Sequence, residues 1–184
     1  TYLSLRRLEN QTIAEMIAAS REKGKAQVGG QIMMGGARSI DVKVSISQFY
    51  GIEINDFAVT VAKTALWIAE SQMLKETEEI VLMHLDFLPL KTNAYIVEGN
   101  ALRMDWASIV PKTKLSYIMG NPPFVGSSMM NKEQKTDVVA ILGKKKLANS
   151  VDYVGAWYYK AASLIENTNC SVAFESTNSI TQGE

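Results

Sequence analysis

The sequence is poor in the residues that most soluble catalysts display openly. It has one cysteine and one histidine in 184 residues, four prolines, and no surplus of either charge. Each shortage excludes something. A lone Cys170, set in the apolar run CSVAFE, cannot close an internal disulfide. It reads as a core residue in a protein of a reducing, cytoplasmic setting. A lone His84, in VLMHLDFLPL, has no evident serine or cysteine partner motif, so a catalytic triad is not expected. Paired only with Asp86, it also lacks the second and third ligands of a zinc site, and no metal is expected. A formal net charge of zero gives no overall footprint for nucleic acid or membrane. Any contact with an anionic polymer must come from local patches or from parts outside this chain. No apolar run approaches the ~20 residues of a membrane span, and no signal peptide is visible.

Glycine is present but not in a phosphate-binding order. Gly24, Gly29, Gly30, Gly35 and Gly36 fit neither GxGxxG nor the P-loop pattern, and the stretch reads as a surface loop. The run Lys144–Lys145–Lys146 is a solvated turn before it is a phosphate contact. No fixed-period repeat or low-complexity tract appears.

What is there has the grammar of an α/β sheet. Residues 3–20 carry Leu5, Leu8, Ile13, Met16 and Ile17 at helical spacing. The chain opens inside this helix and without Met, which points to a segment of a longer protein. FYGIEI reads as a short buried strand. Asn55 then caps a long helix, with Asp56 in its first turn and an apolar face of Val59, Ala62, Leu66, Ala69 and Met73. AYIVEGNAL, KLSYIMG and CSVAFESTNSI read as three further strands. EQKTDVVAILGKKKL and VDYVGAWYYKAASLIE read as helices. Parallel strands joined by helices place their working loops at the strands' carboxyl ends. Glu53, Asn100, Asn121 and Ser176 all lie at such ends.

Three of these ends suggest chemistry. Glu53 can accept from both hydroxyls of a ribose, with Ile54 packed on an adenine face; a solvated glutamate before a helix is the plainer alternative. The Asn100 amide can read an adenine edge, or simply shape a turn after Gly99. The stretch Asn121-Pro122-Pro123-Phe124 is the most specific. An exocyclic amine on an aromatic ring is a poor nucleophile because its lone pair is delocalised. The side-chain oxygen of Asn121 and the carbonyl of Pro122 supply two acceptors for its two N–H bonds. Acceptors placed out of the ring plane favour a tetrahedral nitrogen. The prolines fix the backbone beforehand, and Phe124 offers a face for stacking. The alternative is a rigid turn with a buried Phe.

At this point the sequence resembles a known family. GNPPF is similar to the catalytic motif of adenine-specific DNA methyltransferases that use S-adenosylmethionine, and FYGIEINDFAVTVAKTALWI resembles their cofactor-ribose motif. The longer set, with VDYVGAWYYKAA and STNSITQGE, is similar to the MmeI-like family, which joins methyltransferase and restriction activities in one polypeptide. The resemblance covers nearly the whole chain. It implies a Rossmann-like α/β methyltransferase sheet with flanking helices. It also implies roles: Glu53 for the cofactor ribose, Ile54 for its adenine, and Asn100 with the adjoining Ala101 at the adenine-reading position, where many relatives carry Asp. Asn121 would also border the cofactor. Asn121 and Pro122 would hold the target amine, with Pro123 stiffening the motif and Phe124 on the target base. Double-stranded DNA with the adenine flipped out is the implied partner.

Two features of the family are missing. Its glycine-rich cofactor loop, carried on the first strand, would precede residue 1, and its target-recognition domain would follow residue 184. Residues 1–184 are therefore expected to be a partial catalytic domain, its sheet lacking the first strand, inactive and weak in cofactor binding when alone. The same residues leave open an RNA or protein-glutamine methyltransferase, and a non-catalytic DNA-binding fragment.

Overall fold

The computed structural model describes residues 1–22, 42–82, 93–143, 146 and 149–180. The glycine stretch, His84 with Asp86, and Lys144–Lys145 lie outside them. Within the described residues the chain is mixed α/β. It divides into two compact units, Thr1–Glu98 and Gly99–Glu184. Each holds one two-stranded parallel sheet.

In the first unit, helix α1 (Tyr2–Glu22) precedes strand β1 (Tyr50–Glu53), helix α2 (Asp56–Val81) and strand β2 (Tyr95–Glu98). β1 and β2 pair from Tyr50↔Tyr95 to Glu53↔Glu98. The two tyrosine rings at the start of the register stack at 5.1 Å. Parallel neighbours cannot be joined by a tight hairpin, and α2 is the crossover that the long Val59–Met73 periodicity anticipates. Its start is as expected: the Asn55 side chain accepts from the Ala58 N–H at 3.0 Å, and Asp56 sits in the first turn. Val59 and Met73 are buried and Ala62, Leu66 and Ala69 half-buried. The core gathers Tyr2, Ile46, Met73 and Ala94, with Phe49, Leu66 and Trp67 against them.

Helix α1 forms as its periodicity predicts but turns a different face inward. Ile17 is buried, whereas Leu5, Leu8 and Met16 are exposed. The inward side carries Tyr2, Arg6 and Asn10. A buried guanidinium is tolerable only when its donors are met. Arg6 pairs with Glu9 and donates to Thr77 Oγ1 at 2.8 Å. The Thr77 hydroxyl lies 2.7 Å from Asn10 Oδ1 and 2.8 Å from the Met73 carbonyl. Glu9 comes from α1 itself, but Thr77 comes from α2, 71 residues away in sequence. That is why counting apolar letters along α1 alone selects the wrong side.

In the second unit, a short helix α3 (Trp106–Ile109) leads to strand β3 (Tyr117–Gly120), helix α4 (Lys132–Leu142), helix α5 (Gly155–Ile165) and strand β4 (Ser171–Phe174). β3 and β4 pair in parallel from Tyr117↔Ser171 to Gly120↔Phe174. α4 opens on a capping box of Asn131 and Gln134. It stops at Gly143, whose φ of +66° closes the last turn. α5 begins at Gly155 rather than at residue 151, which leaves Val151–Val154 outside the helix. The core is Leu102, Met130, Val138, Leu142, Tyr153 and Ala156. Cys170 is buried beside β4, and burial raises its thiol pKa. Among the described residues no helix is long and apolar enough to cross a membrane.

The Tyr2 hydroxyl is buried with no hydrogen-bond partner among the described residues. Burial first, then the charge of Glu70, pushes its pKa from 10.0 up to about 12. A folded-state pKa above the unfolded value stabilises the fold at low pH and loses that contribution as pH climbs between the two values. Tyr2→Phe is therefore expected to be at least as stable as the parent near neutrality. The parent should then lose up to about 2–3 kcal/mol relative to the variant between pH ~10 and ~12. Urea unfolding of both proteins across that range checks the slope.

Candidate functional site

The second unit contains the proline-rich stretch and the loop after β2. β3 ends at Gly120, whose carbonyl accepts the Glu175 N–H at 3.0 Å. The chain then leaves the sheet. The Asn121 side chain is exposed, the Pro122 ring is buried, and Pro123 is exposed. Among the described residues no hydrogen bond occupies the Asn121 side chain or the Pro122 carbonyl. Phe124 is 46% exposed, so it is not a core residue of a rigid turn. It borders an open cavity of about 300 Å³, lined with Val125, Gly126, Asp152, Val154 and Thr177. That is the low end of small-molecule clefts.

The wall opposite Phe124 is held by backbone contacts. The Tyr153 N–H donates to the Val125 carbonyl at 2.8 Å, and Asp152 Oδ1 accepts the Ser127 N–H at 2.9 Å. The four residues that α5 leaves free thus line up along the loop after β3. Tyr158 of α5 braces the end of β4: its ring meets Phe174 edge-on, and its hydroxyl lies 3.0 Å from the Phe174 carbonyl and 3.2 Å from Ser176 Oγ.

Asn100 follows Gly99, where φ is +157° and a Cβ would meet Met104 Sδ at 2.3 Å, so glycine is required. The Asn100 oxygen accepts the Leu102 N–H at 2.9 Å, and its amide nitrogen donates to Asp137 Oδ2 at 3.2 Å. Asp137 is buried on α4 and also accepts from Arg103 Nε at 2.7 Å and the Tyr153 hydroxyl at 3.2 Å. Burial, reinforced by the Asp137 charge, raises the Tyr153 pKa, which keeps the phenol a donor. Hydrogen bonding to Asp137 raises the Arg103 pKa. From α5, Lys160 donates to the Leu102 carbonyl at 2.8 Å and to the Met104 carbonyl, and lies 5.5 Å from the Trp106 ring centre. Burial lowers its pKa against the opposing pull of Asp105. Trp106 Nε1 donates back to the Ala101 carbonyl at 2.8 Å. Among the described residues no hydrogen bond uses the Ala101 N–H.

In the first unit, Glu53 ends β1 half-buried, and its Oε1 accepts the Asn55 N–H at 3.0 Å. One protein donor leaves a carboxylate with ample acceptor capacity. Ile54 beside it is 69% exposed, an apolar side chain open to a flat ligand.

The whole of residues 1–184 matches the family model described as MmeI, DNA-methyltransferase domain. The chain belongs to the MmeI DNA-methyltransferase domain family. It is 48% identical over 144 residues to DNA methyltransferase A of Bacillus subtilis (strain 168), covering 77% of this chain and 16% of that protein. It is also similar to the solved structure of the type IIL restriction-modification enzyme MmeI in complex with DNA. There the TM-score is 0.82 at 38% identity, over 100% of this chain and 23% of the MmeI chain. The chain therefore spans less than a quarter of either relative's length.

Within this member of the MmeI family, Asp137, Tyr153, Lys160 and Asp152 are site neighbours that sequence reading does not select. One signal was available. Asp137 sits beside Val138 and four residues before Ile141, where the helical period calls for a buried side chain. A charge there needs partners. Among the described residues no group of three metal-ligating side chains forms.

Lys160→Met should leave the Leu102 and Met104 carbonyls without their donor. The expected loss is about 1–3 kcal/mol of stability, with Lys160→Arg retaining part of it, both read by urea unfolding.

Proposed function

We propose that this chain is the central part of an adenine-specific DNA methyltransferase catalytic domain, within a longer polypeptide of restriction-modification or phage-defence type. The observation that carries the reading is the pair of oxygens after β3, Asn121 Oδ1 and the Pro122 carbonyl, that no hydrogen bond occupies among the described residues, beside a half-exposed Phe124 on an open cavity. Family membership supplies the reaction class, and the relative solved with DNA supplies the polymer. The setting is the cytoplasm, where DNA and a reduced thiol such as Cys170 coexist.

S-adenosylmethionine, when bound, supplies an electrophilic methyl group on a sulfonium. The residues present fit it. Glu53 offers a carboxylate for a ribose diol, Ile54 an apolar face for a purine, and Asn100 with the Ala101 N–H a donor–acceptor set for an adenine edge. Glu53 and Asn100 stand at or just after the carboxyl ends of the paired parallel strands β1 and β2, as ligand residues do in Rossmann-like sheets.

The chain's own catalytic work concerns the target amine. Adenine's exocyclic nitrogen is unreachable within a duplex, so the base must be turned out. The Phe124 face then stacks on the extruded ring. Asn121 Oδ1 and the Pro122 carbonyl accept the amine's two N–H bonds, drawing the nitrogen towards a tetrahedral shape with its lone pair exposed. Burial of the Pro122 ring, and the fixed φ of both prolines, hold these acceptors in place before the substrate arrives.

Supplying the full-length polypeptide with tritiated S-adenosylmethionine and DNA, RNA or protein tests the substrate. Label is expected in DNA, as N6-methyladenine after digestion; label in RNA or in protein glutamine redirects the assignment. Asn121→Ala should cut transfer at least about 100-fold with an unchanged unfolding curve. Phe124→Ala should weaken it about 5- to 100-fold.

A further inference from the structure

The loop from Gly99 to Trp106 is more tightly held than a turn needs. Its carbonyls at Leu102 and Met104 are taken by Lys160, and that at Ala101 by Trp106. The Asn100 carbonyl accepts the Arg103 and Met104 N–H groups at 2.9 and 3.1 Å. The Asn100 side chain lies between opposite demands: a backbone donor, the Leu102 N–H, faces its oxygen, and a buried carboxylate, Asp137, faces its nitrogen.

An amide's two ends have nearly the same shape, so only its partners decide which way it points. Here a flip would set the oxygen 3.2 Å from a carboxylate oxygen and the NH₂ against another N–H. Asp137 cannot turn away to relieve this, because Arg103 and Tyr153 hold the same carboxylate. We propose that Asp137 is a positioning residue: through the Asn100 amide it fixes which atoms the loop shows to the cofactor's adenine. This rests on the functional reading above, in which Asn100 and Ala101 face that ring. In the fixed orientation the loop offers the Ala101 N–H as donor and the second lone pair of Asn100 Oδ1 as acceptor. That pair matches adenine, with an acceptor ring nitrogen beside an exocyclic amine. It mismatches hypoxanthine, with a ring N–H beside a carbonyl.

The test compares two probes by calorimetry on the full-length polypeptide: S-adenosylhomocysteine and its inosine counterpart. The parent protein should prefer the adenosine form. Asp137→Asn puts an NH₂ where a carboxylate met donors from three residues and frees the Asn100 amide to flip, so the preference should fall about tenfold. Asn100→Asp at pH 8 sets two carboxylates 3.2 Å apart against each other; the repulsion drives the residue-100 oxygens from their place at the loop edge, and the preference should also fall. The double variant Asn100→Asp/Asp137→Asn restores one carboxylate and one amide in contact, and should recover the parent's preference within about threefold. General damage to the fold would not be repaired by this exchange. If Asp137→Asn does not fold, Asn100→Asp and the double variant decide the matter by the same criterion. An unaltered preference in the single variants, or no recovery in the double, overturns the proposal while the functional reading stands. A parent protein that binds neither probe overturns the functional reading and the proposal together.

Discussion

A carboxylate buried in a protein interior must be met by donors or it unfolds what surrounds it. In the second unit that carboxylate is Asp137, and its donors come from separate segments: Asn100 and Arg103 from the loop after β2, and Tyr153 from the lead-in to α5. Removing either segment would strip the buried charge of part of its donor set, beside a core of Leu102, Val138 and Ala156. The requirement therefore acts as a positional constraint. It ties a strand-end loop to α4 and sets the residue next to Asp152, which lines the cavity beside Phe124. The loop that carries Asn100 and the loop that carries Phe124 are thus anchored by neighbouring residues of one short segment, Val151–Val154.

The first unit follows the same logic with the opposite charge. Arg6 is buried on α1 and satisfied by Glu9 and by Thr77 of α2. Neither interaction is a large source of net stability, since desolvation offsets most of the attraction. Their effect is selection. Each admits one packing of helix on helix, or of helix on loop, and penalises the rest. Parallel strand pairs benefit from such devices, because their partners are far apart in sequence and no hairpin fixes the register.

Much of this was legible in the sequence, and the limits have physical causes. The four strands, the Asn55 cap and the burial of Val59 and Met73 follow from local rules, so the letters reveal them. That the chain leaves the sheet at NPPF was legible because two prolines after a strand end its hydrogen bonding; the exposure of Phe124 was not, since it depends on the fold around it. The inward face of α1 was not legible, because Arg6 and Asn10 are buried by partners on α2 that no local window contains. Lys160 was hidden for the same reason. It reads as a surface charge on an amphipathic helix, and only the fold brings the carbonyls of Leu102 and Met104 to it. The start of α5 was misplaced because Val151–Val154 is compatible with a helix but is drawn into contact with the Val125–Ser127 loop.

The central claim is that Asn121 and Pro122 present two fixed oxygens to the amine of an extruded adenine. Its most direct test is a crystal structure of the full-length polypeptide with its target duplex and a non-reactive cofactor analogue. The account predicts the adenine outside the helix stack, its ring against Phe124, and its amine within hydrogen-bond distance of both Asn121 Oδ1 and the Pro122 carbonyl. An adenine still stacked in the duplex, or an amine held by other residues with those two oxygens turned to solvent, would contradict it.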